Sequence, residues 1–274
     1  MTVHHFETLR PVRLYVELGK GSVRVIGTDT TESHVEITGR DAGDVLVEQT
    51  GDQLSVVAPR QRGGFLGGDS ALHIVVTVPT DSDVAIKSGS ADVACRGTFG
   101  SGQVKSGSGG VHVEEFARPA TVETGSGDIR VDRAGAELRV KSGSGDVHVE
   151  HTSSAVAVST GSGDVQVGSN NGPAVVKTGS GDLKVVEATH DVSMSTGSGD
   201  LLISTATRGR FTAKGASGDV RIGIPAGVPV WTDISTVTGR IHSTLHGAGQ
   251  PEEGADHVEV RAKIVSGDVV LTEI

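Results

Sequence analysis

Aromatic residues are nearly absent from this sequence. Phe, Trp and Tyr make up 3% of its 274 residues, and hydrophobic residues of all kinds 35%. A globule packed around large rings is excluded, and any core must be thin and built from Val, Ile, Leu and Ala. Cysteine occurs once, as Cys95, so no internal disulfide can form and a reducing compartment is favoured. No apolar run approaches the roughly 18 residues of a spanning helix. The opening "MTVHHFETLRPVRLYVELGKG" lacks the basic head, apolar stretch and small-residue cleavage site of a signal peptide, and the expected location is cytoplasmic. Positive charge is in deficit as well. The formal net charge of −10 argues against a nucleic-acid partner and reads first as a solubility device.

Glycine abounds, with 40 residues against 8 Pro, and it is placed regularly. Near-copies of "TGSGDVQV" (160–167) put Asp128, Asp146, Asp164, Asp182 and Asp200 each 18 residues after the last. Asp92 and Gly110 fill the same slot upstream, Asp219 comes one residue late, and Asp268 follows after a longer interval. A period this short marks a solenoid. Each period holds two runs that alternate apolar and polar residues, such as "DVHVE" (146–150) and "AVAVST" (155–160), with no room for a helix between them. The expected fold is all-β: a right-handed single-stranded parallel β-helix (β-solenoid) of 18-residue coils with two short strands each.

The inward columns follow from the period. One is Val111, Ile129, Val147, Val165, Leu183, Leu201 and Val220; the next is Val113, Val131, Val149, Val167, Val185, Ile203 and Ile222. Val122, Val140, Val158, Val176 and Met194 oppose them. Outward, Lys105, Glu123 and Lys141 alternate in sign, followed by Ser159, Lys177, Ser195 and Lys214, which reads as a solvated face. The regular repeat spans 88–222. Residues 1–87 read as irregular first coils plus a cap, and 223–274 as closing coils and cap, in one continuous solenoid domain. The C-terminal "VVLTEI" (269–274) is the expected exposed edge, a candidate for self-association.

The aspartates at 128, 146, 164, 182, 200 and 219 are expected to be structural. Glycine supplies the corner through positive φ or close backbone approach, and the carboxylate accepts hydrogen bonds from turn amides. Calcium fits poorly, because calcium-binding rolls repeat every nine residues with different glycine spacing. No metal set, cofactor motif or enforced nucleophile–base pair is found, so no cofactor is expected. The outward His112, Arg130 and His148 are the most chemical-looking cluster, but His112 and His148 lie two coils apart. The segment "PRQRGGFLGGDS" (59–70) places Arg60 and Arg62 beside Phe65 and Leu66 between glycine pairs, and is the expected partner-binding site.

The repeated "TGSGDV" and "SGSGDV", the N-terminal "GKGSVRVIG" and the closing "ADHVEVRAKIVSGDVVL" resemble the uncharacterised putative-adhesin β-strand-repeat family, whose domain is called toastrack. The resemblance covers most of the chain. It implies a single-stranded β-helix, membrane-anchored relatives, and an association with bacterial envelope stress of the Lia and phage-shock type; it supplies no catalytic residues. The expected function is a non-enzymatic scaffold or protein-binding module in such complexes, its partner a protein that includes one held at a membrane. The alternatives are a secreted or surface adhesin and, third, a polysaccharide-acting β-helix enzyme, which a cleft lined by Asp and Arg would favour.

Overall fold

The computed structural model describes residues 1–59, 71–246 and 256–274, and it is all-β apart from one 3-10 turn at Ala42–Asp44. The chain divides into two compact units, Met1–Glu137 and Leu138–Ile274. In the first unit the strands are β1 (Thr2–Glu7), β2 (Arg13–Leu18), β3 (Gly21–Thr28), β4 (Glu32–Thr38), β5 (Leu46–Thr50), β6 (Gln53–Val57), β7 (Leu72–Pro79), β8 (Asp83–Ser88), β9 (Asp92–Phe99), β10 (Gly102–Ser106), β11 (Val111–Phe116), β12 (Ala120–Thr124) and β13 (Ile129–Ala134). One sheet runs β1-β4-β7-β3-β9-β11-β13 and the other β5-β6-β2-β8-β10-β12. From β7 and β6 onward neighbours are parallel; β4, β1 and β5 are added antiparallel.

The second unit holds β14 (Leu138–Ser142), β15 (Val147–Thr152), β16 (Val156–Thr160), β17 (Val165–Asn170), β18 (Ala174–Thr178), β19 (Leu183–Ala188), β20 (Val192–Ser198), β21 (Leu201–Ala206), β22 (Gly209–Ser217), β23 (Val220–Ile224), β24 (Val230–Thr238), β25 (Ile241–Ser243), β26 (Val258–Ser266) and β27 (Val269–Glu273). Its sheets run β15-β17-β19-β21-β23-β27-β25 and β14-β16-β18-β20-β22-β26-β24, parallel throughout. Val147 faces Val165, which faces Leu183, which faces Leu201. Alternation therefore points one set of side chains inward coil after coil. Every residue of the expected inward columns is at most 3% exposed.

The coil order departs from chain order at two places. In the first unit β2 and β3 lie inside, between β6/β7 on one side and β8/β9 on the other. In the second unit the chain passes through β24 and β25 before returning to insert β26 and β27 next to β22 and β23. The expectation for "VVLTEI" is thereby corrected. β27 is paired on both flanks, by β23 and β25, because the returning chain fills the gap instead of extending the stack.

Rings and small residues complement each other where aromatics do occur. Phe99 and Phe116 face each other in β9 and β11, fully buried. A methyl group on Gly102 would stand 2.1 Å from the Phe116 ring, so that position has room for glycine alone.

Candidate functional site

The glycine–aspartate corners come first because they dominate the sequence. A Cβ at Gly163 or Gly181 would lie 2.1 Å from the carbonyl oxygen of Gly145 or Gly163 respectively, one coil away. Close approach, and not positive φ, is thus the reason for glycine along the repeat; of its corner glycines only Gly218 and Gly267, in the late coils, have φ in the left-handed half. From Asp146 onward each carboxylate then reaches along the stack. Asp146 Oδ1 accepts the Asp164 N–H at 2.9 Å, Asp164 that of Asp182 at 2.9 Å, Asp182 that of Asp200 at 2.8 Å, and Asp200 that of Asp219 at 2.8 Å. The ladder continues from Asp219 to Asp268 and from Asp268 to the Arg240 N–H. In the first unit Asp92 accepts the Gly110 N–H, and the Asp128 carbonyl accepts the Val111 N–H.

A second column escaped the sequence reading. From Ser106 to Thr178 the Ser or Thr that opens "(S/T)GSG" is buried and its hydroxyl closes the corner, whereas the Thr196 hydroxyl in the next copy has no hydrogen-bond partner among the described residues. Ser106, Thr124 and Ser142 donate to the carbonyls of Gly109, Gly127 and Gly145, while Thr160 and Thr178 accept the N–H groups of Gly163 and Gly181. Its signal was available: a hydroxyl residue recurs three positions before the second glycine in every copy.

A cleft of about 600 Å³ in the first unit is lined by Arg13, Asp52, Asp81, Asp83 and Arg118, the kind of site that would favour an enzyme. Four of these five charges are paired with one another. Arg13 binds Asp52 at 2.7 Å, and Arg118 binds Asp83 at 2.7 Å while Asp83 also accepts the Ser101 N–H. The hydrogen bond from Arg13 holds the Asp52 carboxyl below the usual carboxylate range. A glycosidase acid needs the reverse shift, a carboxyl kept protonated near neutral pH.

The outward histidines are likewise occupied. His112 and Arg130 converge on Asp132, at 3.0 and 2.7 Å, and His148 binds Glu150 at 2.7 Å. Burial raises the Asp132 carboxyl, but the two hydrogen bonds outweigh it and hold the group low. Among the described residues no group of three or more His, Cys, Asp or Glu could hold a metal ion. No helix among them is long and apolar enough to cross a membrane. Arg60, Arg62, Phe65 and Leu66 lie outside the described residues.

The outer face of the β14–β24 sheet is different in kind. Lys141, Ser159, Lys177, Ser195, Lys214, Lys263 and Ser235 form one register column across seven strands. Beside it run Arg139, Ala157, Val175, Ser193, Thr212, Arg261 and Asp233. Glu259 and Asp233 are the carboxylates on these strands, and Glu259 is taken by Arg210 and Arg261. Lys177, Lys214 and Lys263 are exposed and have no ion-pair partner among the described residues. The carboxylate ladder occupies the corners, so the second unit separates its charges, basic on this face and acidic along the turns.

Residues 12–272 match the family model described as Toastrack DUF4097. The chain belongs to that family. Similar solved structures include a putative adhesin from Parabacteroides merdae, with 11% identity, 98% of this chain and 95% of that chain covered, and a TM-score of 0.40. A putative adhesin from Bacteroides fragilis gives 12% identity, coverage of 98% and 96%, and a TM-score of 0.36. A putative lipid binding protein from Parabacteroides distasonis gives 10% identity, coverage of 100% and 96%, and a TM-score of 0.33. No curated protein matches this Toastrack chain.

Proposed function

We propose that this chain is a non-enzymatic binding scaffold, a right-handed solenoid of 18-residue coils, that presents the outer face of its β14–β24 sheet to an acidic partner protein. The observation that carries the reading is the column of Lys177, Lys214 and Lys263, which have no ion-pair partner among the described residues, on a chain of net charge −10. A protein that needed only solubility would have no reason to segregate its cations. Parallel strands set about 4.8 Å apart hold the lysines at spacings of one or two strands, so an acidic surface meets a fixed array. Such an array steers encounter and selects orientation more than it adds affinity. The cytoplasm is the proposed location, and an envelope-stress or regulatory complex the proposed setting.

The test is a Lys177→Glu/Lys214→Glu/Lys263→Glu variant beside the native chain, each used to capture partners from cytosolic and membrane fractions of its host at low and high salt. The reading expects a partner held by the native chain at low salt, released by high salt and lost in the variant. A partner retained equally by both chains would contradict it. Retention of the native chain on protein-free anionic vesicles, with no protein captured, would replace the acidic protein by a lipid surface.

A further inference from the structure

The outermost coils of the two units are finished in opposite ways. In the first unit the outermost parallel coil, β6 and β7, is covered by β5 and β4, and Leu54, Val56, Ile74 and Val76 are 0% exposed. In the second unit the outermost coil, β24 and β25, has no strand on its outer flank among the described residues. Its inward residues repeat the core columns, since Val230 faces Val258, Ile234 faces Ala262 and Ile241 faces Val269. Their partners are buried, yet Ile241 is 53% exposed and Val230 and Ile234 are half-buried. Trp231 and Val237 on the same strand are 51% and 74% exposed. Among the described residues a core column and a long strand edge are left open together, which natural sheets avoid.

We propose that a second copy of this chain covers this end, with β24 pairing antiparallel to its twin about a two-fold axis at Ile234. The backbone is ready for it. The Val258 N–H donates to the Pro229 carbonyl, so odd-numbered residues up to Ser235 turn their backbone groups to β26, and the order switches only at Thr238, whose carbonyl accepts the Gly267 N–H. Thr232, Ile234 and Thr236 turn theirs to the open edge, where an antiparallel strand needs them. The side chains choose the register. Centring on Asp233 would oppose two carboxylates, and centring on Thr232 would set Asp233 against the Trp231 ring. Centring on Ile234 sets Ile234 on its twin, Thr232 on Thr236, and Asp233 on Ser235, each of the last two twice. β-Branched pairs of this kind are favourable across strands, and like charges directly opposed are not. The Trp231 ring then lies over Val237 of the second copy, covering the two most exposed apolar groups of the strand. One patch serves both partners, as a two-fold interface requires.

Residue 235 tests the register without touching the core. Ser235 is exposed and faces Lys263 within its own chain. Ser235→Asp adds a favourable neighbour inside each chain but opposes Asp233 of the second copy twice. Ser235→Lys does the reverse on both counts. Sedimentation velocity from low-micromolar to sub-millimolar protein should show a monomer–dimer equilibrium in the native chain, weakened about tenfold or more by Ser235→Asp and tightened by Ser235→Lys. Thermal melts of the two variants should show no loss of fold in the Asp variant. A chain monomeric at every concentration, or a dimer whose dissociation constant ignores residue 235, overturns the proposal.

Discussion

Replacing Gly181 by Ala should destabilise the protein although alanine is the better residue for an unstrained chain. The added Cβ would sit 2.1 Å from the Gly163 carbonyl oxygen and 2.8 Å from its carbon, and real Cβ contacts essentially never fall under 3.0 Å. The coils must part locally by about 1 Å in a stack spaced about 4.8 Å. That separation stretches the bonds from Gly179 and Ser180 to Gly161 and from Asp182 to Asp164, now 3.0, 3.2 and 2.9 Å, past useful length. Losing these bonds at about 1 kcal/mol each gives a cost of about 3 kcal/mol. The lower entropy of the unfolded alanine chain returns about 0.4–1 kcal/mol, leaving a net loss of about 2–3 kcal/mol. At about 2–4 °C per kcal/mol for a chain of this size, the melting midpoint should fall by about 5–10 °C. The control is Gly43→Ala, where nothing lies within 4 Å of the new Cβ; its midpoint should stay level or rise slightly. Circular dichroism melts of both variants decide the matter. A Gly181→Ala midpoint equal to the native one would refute close approach as the reason for the corner glycines.

Val149→Asp puts a charge without a partner at a 0% exposed column position; it should cost about 4 kcal/mol or more, read as loss of soluble protein or a collapsed melt. Burial pushes the Cys95 thiol up to about 12, so thiol reagents at neutral pH should label it only in denaturant; rapid labelling of the native chain would contradict its place in the core. Because the folded Asp132 carboxyl is held low, its contribution to stability is complete above the ordinary carboxylate value near 4 and disappears as pH falls through the lower folded value. Its NMR titration midpoint should therefore lie below about 3.9, and Asp132→Asn should flatten that part of the acid limb.

The period-18 columns were legible because one inward position recurs in every coil, and a strand's alternation fixes which face it buries. Alternation does not say which strand lies next door. That is why β26 and β27 could be recognised as strands while their insertion inside β24 and β25 could not, and why "VVLTEI" looked like an edge. The same break hid the basic face. Followed at fixed period, the outward column begins with Lys105, Glu123 and Lys141 and looks mixed in sign; Lys263 joins Lys214 only through the non-sequential pairing of β22 with β26. The partner of His112 and Arg130 is visible in the sequence at Asp132, two residues past Arg130 on the same face. The carboxylates of Asp146, Asp164, Asp182, Asp200 and Asp219 accept an amide of the next coil, where the sequence suggested an amide of the aspartate's own turn.

The central claim is that the repeated aspartate ties one coil to the next. Residue-resolved amide exchange of the native chain and Asp182→Ala tests it most directly. Asp182 Oδ1 is the acceptor for the Asp200 N–H, so the variant should lose protection at Asp200 while the Asp164 amide, bonded to Asp146, keeps its own. Unchanged protection at Asp200 would show that the carboxylate column does not hold the stack, and the repeat would need another explanation.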